Sequence, residues 1–129
     1  MSIKNIHFIL VRPQMGENVG SVARAIKNFD ITKLRIVNPK CHWPNQKAIA
    51  TSVGAKDVLK SSKIYNSLEK SISDLDLVFA SSSRIRKVNK KIISILDLQQ
   101  KLVIKKKWVS YLVPNPQVYL MMKLIVQIT

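Results

Sequence analysis

Glycine, acidic residues and cysteine are all scarce in this chain of 129 residues. The only glycines are Gly16, Gly20 and Gly54, which excludes a P-loop and a G-x-G-x-x-G turn, because both need glycine wherever phosphate approaches the backbone. The single cysteine, Cys41, excludes an internal disulfide and indicates a reducing compartment, so we expect a cytoplasmic protein. One cysteine beside one histidine cannot complete a zinc site, so no metal is expected.

The charge of the chain is strongly one-sided. Lys and Arg number 22 against 7 Asp and Glu, which gives a net charge of +15. Such a field attracts polyanions, so RNA, DNA or an anionic membrane is the natural partner. The chain has neither an apolar span of about 20 residues nor a basic amphipathic helix. The apolar run within its first 14 residues is too short for a signal peptide. We therefore expect a nucleic acid and no membrane.

Apolar runs alternate with helical periods along the chain. Strands are predicted over residues 6–11, 34–37, 63–65 and 75–80, and helices over 17–29, 67–73 and 92–102, with one or two short helices within 45–60. In the first helix, Val22, Ala25, Ile26 and Phe29 fall on one side, which predicts the buried face. This order predicts one α/β domain, with a parallel sheet that has helices on both faces.

The segment after the first strand, Gly16 to Ala25, has the strongest pattern of the chain. Gly20 permits a tight entry into the helix, and Asn18 can cap the N–H groups of its first turn. Ser21 and Arg24 then lie one turn apart on the polar face, at the carboxyl edge of the sheet, where open α/β sheets bind ligands. A capped amphipathic helix with a surface arginine explains the same residues equally well.

The spacing N-x-G-S-x-x-R in this segment resembles the first signature motif of the SpoU branch of the SPOUT methyltransferases. Three later segments resemble that family in the same order, namely LRIVNP at 34–39, ATSVGAKDVL at 50–59 and LVFASSSRIR at 77–86. The resemblance covers residues 3 to about 107 and is nearest to the bacterial enzymes that methylate ribose in the tRNA anticodon loop. It implies the α/β knot type of fold.

The resemblance also implies a chemistry, in which S-adenosylmethionine gives a methyl group to a ribose 2′-hydroxyl of RNA. It makes Arg24 the catalytic arginine and Asn18 the residue that orients the site. Because a guanidinium stays protonated, we expect Arg24 to hold a phosphate and stabilise the forming alkoxide rather than act as a base. Ser21, Arg84, Arg86 and Lys87 are the predicted RNA contacts, while no cofactor-binding residue can be assigned.

The region from Arg84 to Lys107 is the most basic part of the chain, and only Asp97 opposes its nine Lys and Arg residues. Phosphate contact is the functional interpretation of this cluster, and a solvated cationic surface is the alternative. Trp43 could stack on a base, but local packing with Pro44 is expected. His7, within the first strand, is predicted to be a core histidine with a hydrogen-bond partner.

Residues 108–129 do not follow the family pattern, which requires a G-x-E-x-x-G motif and then an S-L-N segment that build the knot and enclose the cofactor. Read from the third base of the Trp108 codon, compatible codons permit GILFGPESSGLSNDEI, and Lys105 to Lys107 require a run of adenines. We therefore expect a frameshifted, truncated chain, with residues 1–107 as the family domain and 108–129 as an aberrant tail. A genuinely divergent C-terminus is the alternative.

Several expectations follow from the missing motifs. The knot and cofactor binding should be lost. The resemblance implies a homodimer built largely from the knot, which leaves dimerisation of this chain an open question. Residues 109–113 can still add a strand to the sheet, and 118–128 resemble an aggregation-prone strand. Three hypotheses stay open: a methyltransferase with impaired or absent activity, a non-catalytic RNA-binding module, and a product without stable function.

Overall fold

The computed structural model describes residues 6–75, 78, 80–81 and 111–112. In chain order, the elements are β1 (His7–Val11), α1 (Gly16–Lys27), β2 (Lys33–Val37), α2 (Gln46–Thr51), α3 (Lys56–Lys60), β3 (Lys63–Tyr65), α4 (Leu68–Ile72), β4 (Ala80–Ser81) and β5 (Tyr111–Leu112). The predicted alternation of strands and helices is confirmed. Two short helices occupy residues 46–60, and Gly54 separates them at a φ of 77° that suits glycine.

The five strands form one parallel sheet in the order β3-β2-β1-β5-β4. β1 and β2 are paired along their whole length, from His7 opposite Lys33 to Val11 opposite Val37. Ile9 and Ile36 are fully buried at the centre of this pair, as expected for apolar strands covered on both faces. All carboxyl ends meet at one border of the sheet, the carboxyl edge.

Helices cover both faces of the sheet, as predicted. α1, α2 and α3 pack on one face, where a core cluster includes Val22, Leu34, Ala48 and Val58. On the other face, α4 contributes Leu68 and Ile72 to a smaller cluster around Ile9, Val11 and Val37. Among the described residues, no helix is long and apolar enough to cross a bilayer.

The packing of α1 on α2 gives Gly20 a role different from the predicted one. Gly20 lies inside α1, not at its entry, and is buried. A Cβ atom there would overlap the Thr51 hydroxyl and the carbonyl oxygen of Ala48. The absence of a side chain therefore allows the two helices to approach closely.

The burial pattern of α1 also corrects the predicted apolar face. Val22 and Ile26 are buried as expected, but Ala25 is exposed and 71% of Phe29 is accessible. The helix ends at Lys27, so Phe29 lies in the turn beyond it and does not share the buried face. In that turn Asp30 adopts a φ of 57° and redirects the chain toward β2.

The strand predicted over 75–80 is described only at Ala80–Ser81, and Leu75 and Val78 are not in a strand. In the part of this strand that the structure describes, Ala80 lies opposite Tyr111 and Ser81 opposite Leu112 of β5. β5 confirms that a strand forms within residues 109–113, and it lies between β1 and β4. The helix predicted over 92–102 and the segment 118–128 lie outside the described residues.

Candidate functional site

The strand order places a topological switch point at the carboxyl edge beside β1. From β1 the chain builds outward through β2 to β3, whereas β4 and β5 lie on the other side of β1. The order of strands therefore reverses between β1 and β5, and open α/β sheets bind ligands outside such a switch point. Residues 12–15, which connect β1 to α1, leave the sheet at this position.

Asn18, Ser21 and Arg24 are all exposed on α1, as the sequence predicts for its polar face. Asn18 is not the helix cap, because α1 begins at Gly16 and its N-cap residue is Met15, which makes no side-chain capping bond. The backbone N–H of Asn18 donates to the carbonyl of Met15 at 3.2 Å. Its side-chain amide is therefore not used for capping.

The three exposed residues are spread along the helix. At 1.5 Å per residue, Arg24 lies about 9 Å along the axis from Asn18 and about 12 Å from the start of α1. At 3.6 residues per turn, Asn18 and Arg24 are about 120° apart around the axis, with Ser21 midway. Only the first turn of α1 therefore lies at the carboxyl edge, and Arg24 lies two turns down the exposed side.

The Arg24 side chain makes no hydrogen bond or ion pair with any described residue. Its basic neighbours in the fold differ in this respect. The Lys27 ammonium pairs with Asp57, and the Lys47 ammonium lies 3.4 Å from Glu17 Oε1. Arg24 is thus an exposed cation on α1 that is left available for a ligand.

Ser21 has a restricted hydrogen-bonding capacity. Its hydroxyl donates to the carbonyl of Glu17, four residues earlier in the same helix, at 2.8 Å. Toward a ligand, the oxygen of Ser21 is therefore an acceptor in this conformation. The carboxylate of Glu17 has a lowered pKa, because of a hydrogen bond from its own backbone N–H and a further one from Lys47.

The loop after β2, residues 38–45, is fastened to the loop after β1. The N–H groups of Lys40 and Cys41 donate to the carbonyl of Pro13 at 2.8 and 3.3 Å. Asn45 then caps α2 by accepting from the backbone N–H of Lys47 at 3.0 Å. Trp43 is partly buried and packs against the core cluster, whereas the sequence predicted local packing with Pro44. Burial raises the pKa of the Cys41 thiol.

A buried polar cluster lies on the opposite face of the sheet. Arg35 is only 4% exposed, and its guanidinium makes a bidentate pair with Asp74 at 2.6 and 2.7 Å. It also donates to the Ser71 carbonyl at 2.5 Å and to His7 Nδ1 at 3.0 Å, and it lies 5.5 Å from the centre of the Tyr65 ring. This confirms the expected partner for His7, whereas sequence reasoning missed Arg35 and Asp74. Strand alternation was the available signal, because it puts Arg35 on the same face as buried Val37.

The predicted contacts Arg84, Arg86 and Lys87 lie outside the described residues. The strand that precedes them in sequence, β4, ends at Ser81 on the carboxyl edge. Within the described part of the chain, no group of three or more His, Cys, Asp or Glu side chains could hold a metal ion.

The residues described at the carboxyl edge do not by themselves fit S-adenosylmethionine, which presents a sulfonium cation, an amino acid group and an adenine ring. Arg12 and Lys40 are exposed there, and Lys47 already holds the carboxylate of Glu17. Of the large apolar side chains in the loops after β1 and β2, only Met15 is substantially exposed, so these two loops by themselves form no apolar sleeve for adenine.

Comparisons with known proteins place this chain in a family. The model of the SpoU rRNA Methylase family matches residues 5–107. The tRNA (cytidine/uridine-2′-O-)-methyltransferase TrmJ of Photorhabdus laumondii is 42% identical over 84 residues, which cover 65% of this chain and 34% of the relative. The tRNA (cytidine-2′-O-)-methyltransferase TrmJ of Methanocaldococcus jannaschii is 43% identical over 77 residues, 60% of this chain and 33% of the relative.

Solved structures give the same answer. The crystal structure of TrmJ from Z. mobilis superimposes with a TM-score of 0.75 at 32% identity, covering 84% of this chain and 49% of that one. A probable methylase family protein from Haemophilus influenzae gives a TM-score of 0.73 at 30% identity, covering 81% and 44%. This chain thus spans a third to a half of the relatives that it matches. The match of the family model to residues 5–107, together with the shared fold, shows that the chain belongs to the SpoU methylase family.

Proposed function

We propose that this chain is the RNA-contacting part of an S-adenosylmethionine-dependent tRNA ribose 2′-O-methyltransferase, with turnover impaired or absent in the 129-residue chain. The observation that carries the proposal is Arg24, an exposed cation without a partner among the described residues, at the arginine of the family motif. Relatives named as tRNA cytidine and uridine 2′-O-methyltransferases support tRNA, and a pyrimidine nucleotide within it, as the target.

Arg24 has the chemistry that the RNA side of this reaction needs. Its planar fork can hold both free oxygens of a phosphate next to the target ribose, which fixes the ribose by charge-assisted hydrogen bonds. The same positive charge stabilises negative charge that develops on the 2′-oxygen as its proton leaves. Neither role requires Arg24 to accept a proton.

Ser21 and Asn18 complete the same exposed side of α1. Because the Ser21 hydroxyl donates to Glu17, its oxygen suits a ribose hydroxyl, which can donate, better than a phosphate, which cannot. A ribose hydroxyl is the group that distinguishes RNA from DNA. The side-chain amide of Asn18, not used for capping, can both donate to and accept from a nucleotide.

A non-catalytic RNA-binding module is the second candidate. The observation that favours it is that the described residues of the carboxyl edge fit the cofactor poorly, whereas the exposed surface of α1 suits RNA. In both candidates we propose residues 1–107 as the family domain and 108–129 as an aberrant tail, with Arg84, Arg86 and Lys87 as further RNA contacts. The match of the family model to residues 5–107 supports that boundary. Sequencing the gene across Lys105 to Lys107 tests it, since a downstream frame without the G-x-E-x-x-G and S-L-N motifs would remove the frameshift.

Binding of tRNA and methyl transfer should be measured on the same preparation. We expect salt-dependent binding, and replacement of Arg24 by Gln should weaken it about fivefold at 0.1 M salt, the effect of one phosphate contact at a slope of about 0.7. Arg24→Lys should recover only part of this loss, because the ammonium lacks the fork. Lys60→Gln, an exposed lysine on α3, is the control of equal charge.

The readout of methyl transfer tests whether this chain is an active enzyme. Mass spectrometry of nucleosides after incubation with S-adenosylmethionine would detect a 2′-O-methylated pyrimidine. Product that depends on Arg24 identifies this chain as an active enzyme, whereas binding without product identifies the non-catalytic module or an enzyme whose turnover is abolished. A protein that binds no tRNA even at low salt contradicts both candidates. Ser21→Ala should reduce the preference for RNA over DNA of equal sequence, which tests its proposed contact with a ribose hydroxyl.

A further inference from the structure

Two cations at the carboxyl edge are not explained by the family motif. Arg12 follows the last residue of β1, and Lys40 lies in the loop after β2. Both are exposed, and neither side chain has a hydrogen bond or ion pair with a described residue. The two loops to which they belong, residues 12–15 and 38–45, contain no acidic residue.

Backbone hydrogen bonds join the two loops that carry Arg12 and Lys40. The N–H of Arg12 donates to the carbonyl of Val37 at 2.7 Å, and the N–H of Lys40 donates to the carbonyl of Pro13 at 2.8 Å. The loops after two neighbouring strands are thereby joined at the positions that bear the charges. The next element, α1, is in turn bonded to α2, because the Thr51 hydroxyl of α2 donates to the Glu17 carbonyl at 3.2 Å.

The backbone conformation of Arg12 is unusual for its residue type. Arg12 has a φ of 50°, in the left-handed region that arginine seldom adopts and that costs of order 1 to 3 kcal/mol. Asn38, which ends β2 in the same way at a φ of 43°, is a residue type that tolerates this region. Strained residues concentrate where a side chain must be aimed at a ligand.

We propose that Arg12 and Lys40 form a second phosphate-binding site, which holds the RNA backbone at the switch point while Arg24 acts on the exposed side of α1. The site rests on the proposed function, because it extends the same RNA-binding surface. Its ligand class is the phosphodiester backbone of single-stranded or loop RNA. The paired state of Lys47 and Lys27 excludes these two lysines from an equal role.

The test compares two double variants that each remove two positive charges. Arg12→Asn with Lys40→Gln removes the proposed site, and asparagine is chosen because it suits the left-handed conformation. Lys56→Gln with Lys60→Gln is the control, because both lysines are exposed on α3 and have no ion pair with a described residue. Affinity for tRNA would be measured by fluorescence anisotropy from 50 to 300 mM salt, with circular dichroism to verify folding.

Loss of two phosphate contacts should reduce the salt slope by about 1.4 and weaken binding at 0.1 M salt by roughly 25-fold. The α3 variant should change the slope by less than half as much. Equal losses in the two variants would mean that only net charge matters, and the site would be wrong. If Arg24→Gln weakens binding while the Arg12 and Lys40 variant does not, the proposed function survives and this site does not.

Two further outcomes decide the matter differently. If the unaltered chain binds no tRNA at low salt, the proposed function and this site fall together. If vesicles containing an anionic phospholipid compete for Arg12 and Lys40 more strongly than tRNA does, the surface is a membrane contact and the RNA assignment is overturned.

Discussion

Replacing Gly20 with alanine should destabilise the protein, although helix propensity predicts the opposite. In an exposed helix interior, this change stabilises by about 1 kcal/mol, because alanine loses less backbone entropy. In α1, however, the new Cβ would overlap the Thr51 hydroxyl and the Ala48 carbonyl oxygen, and it would lie 3.1 Å from the Ala48 carbonyl carbon. The Ala48 contact is with backbone, so rotation of a side chain cannot relieve it.

The magnitude follows from setting the two effects against each other. Overpacking that shifts backbone costs about 1 to 3 kcal/mol, and the rigid contact here justifies the upper end of that range. After about 1 kcal/mol of propensity is returned, the free energy of unfolding should fall by about 2 kcal/mol. Urea unfolding followed by circular dichroism would measure it, with the slope of the transition unchanged.

Two variants make the reasoning refutable. Ala25→Gly, at an exposed position of the same helix, should cost about 1 kcal/mol and reports propensity alone. Thr51→Ala added to Gly20→Ala should not restore stability, because the Ala48 carbonyl is still in place. If Gly20→Ala stabilises the protein by about the amount that Ala25→Gly costs, the close approach of α1 and α2 is wrong.

Three more outcomes are expected. The pKa of His7 is lowered from 6.5 to about 4, first by burial and then by Arg35, so neutral His7 favours folding fully above pH 6.5 and loses that contribution as pH falls toward 4. After allowance for solvent screening, His7→Gln should remove about 1 to 2 kcal/mol of this pH dependence of the free energy of unfolding, measured in unfolding titrations from pH 7 to 4.5. Asp74→Asn should lower the free energy of unfolding by about 1 kcal/mol, because buried Arg35 loses an ionic partner whose own side chain is 61% exposed. Asp57→Asn, in a pair whose two side chains are both exposed, should cost less, and equal losses of stability in urea unfolding would contradict the role of burial. Calorimetry should detect no binding of S-adenosylmethionine to the 129-residue chain, and a micromolar dissociation constant would contradict the poor fit of the described carboxyl edge.

Local pattern was sufficient for the elements of this fold but not for their limits. The apolar runs that became β1 and β2 could be recognised because parallel strands are covered on both faces. Asn18 was wrongly predicted as a cap, because the start of α1 depends on bonds between distant loops, such as that from Lys40 to Pro13. Phe29 was wrongly placed in the buried face, because the periodic pattern does not show that the helix ends at Lys27.

The candidate site divides in the same way. Arg24 could be identified from the spacing of its motif, since the family resemblance depends on residues close in sequence. That it lacks a partner in the described structure could not be predicted, because the pairing of Lys27 and Lys47 depends on where α3 and α1 present their carboxylates. That Arg12 and Lys40 lie on joined loops could not be predicted, because a backbone hydrogen bond between two loops does not depend on the side chains of either loop.

The position of β5 has a consequence for the chain as it is being made on the ribosome. Residues 6–75 supply β1, β2 and β3, but one side of β1 has no neighbour until Tyr111 and Leu112 arrive. At roughly 5 to 20 residues per second, synthesis from Leu75 to Leu112 takes about 2 to 7 s. During that interval the nascent chain presents an unpaired strand edge, which is a template for association with other chains. Chaperones that bind the nascent chain during those seconds should therefore raise its yield in cells.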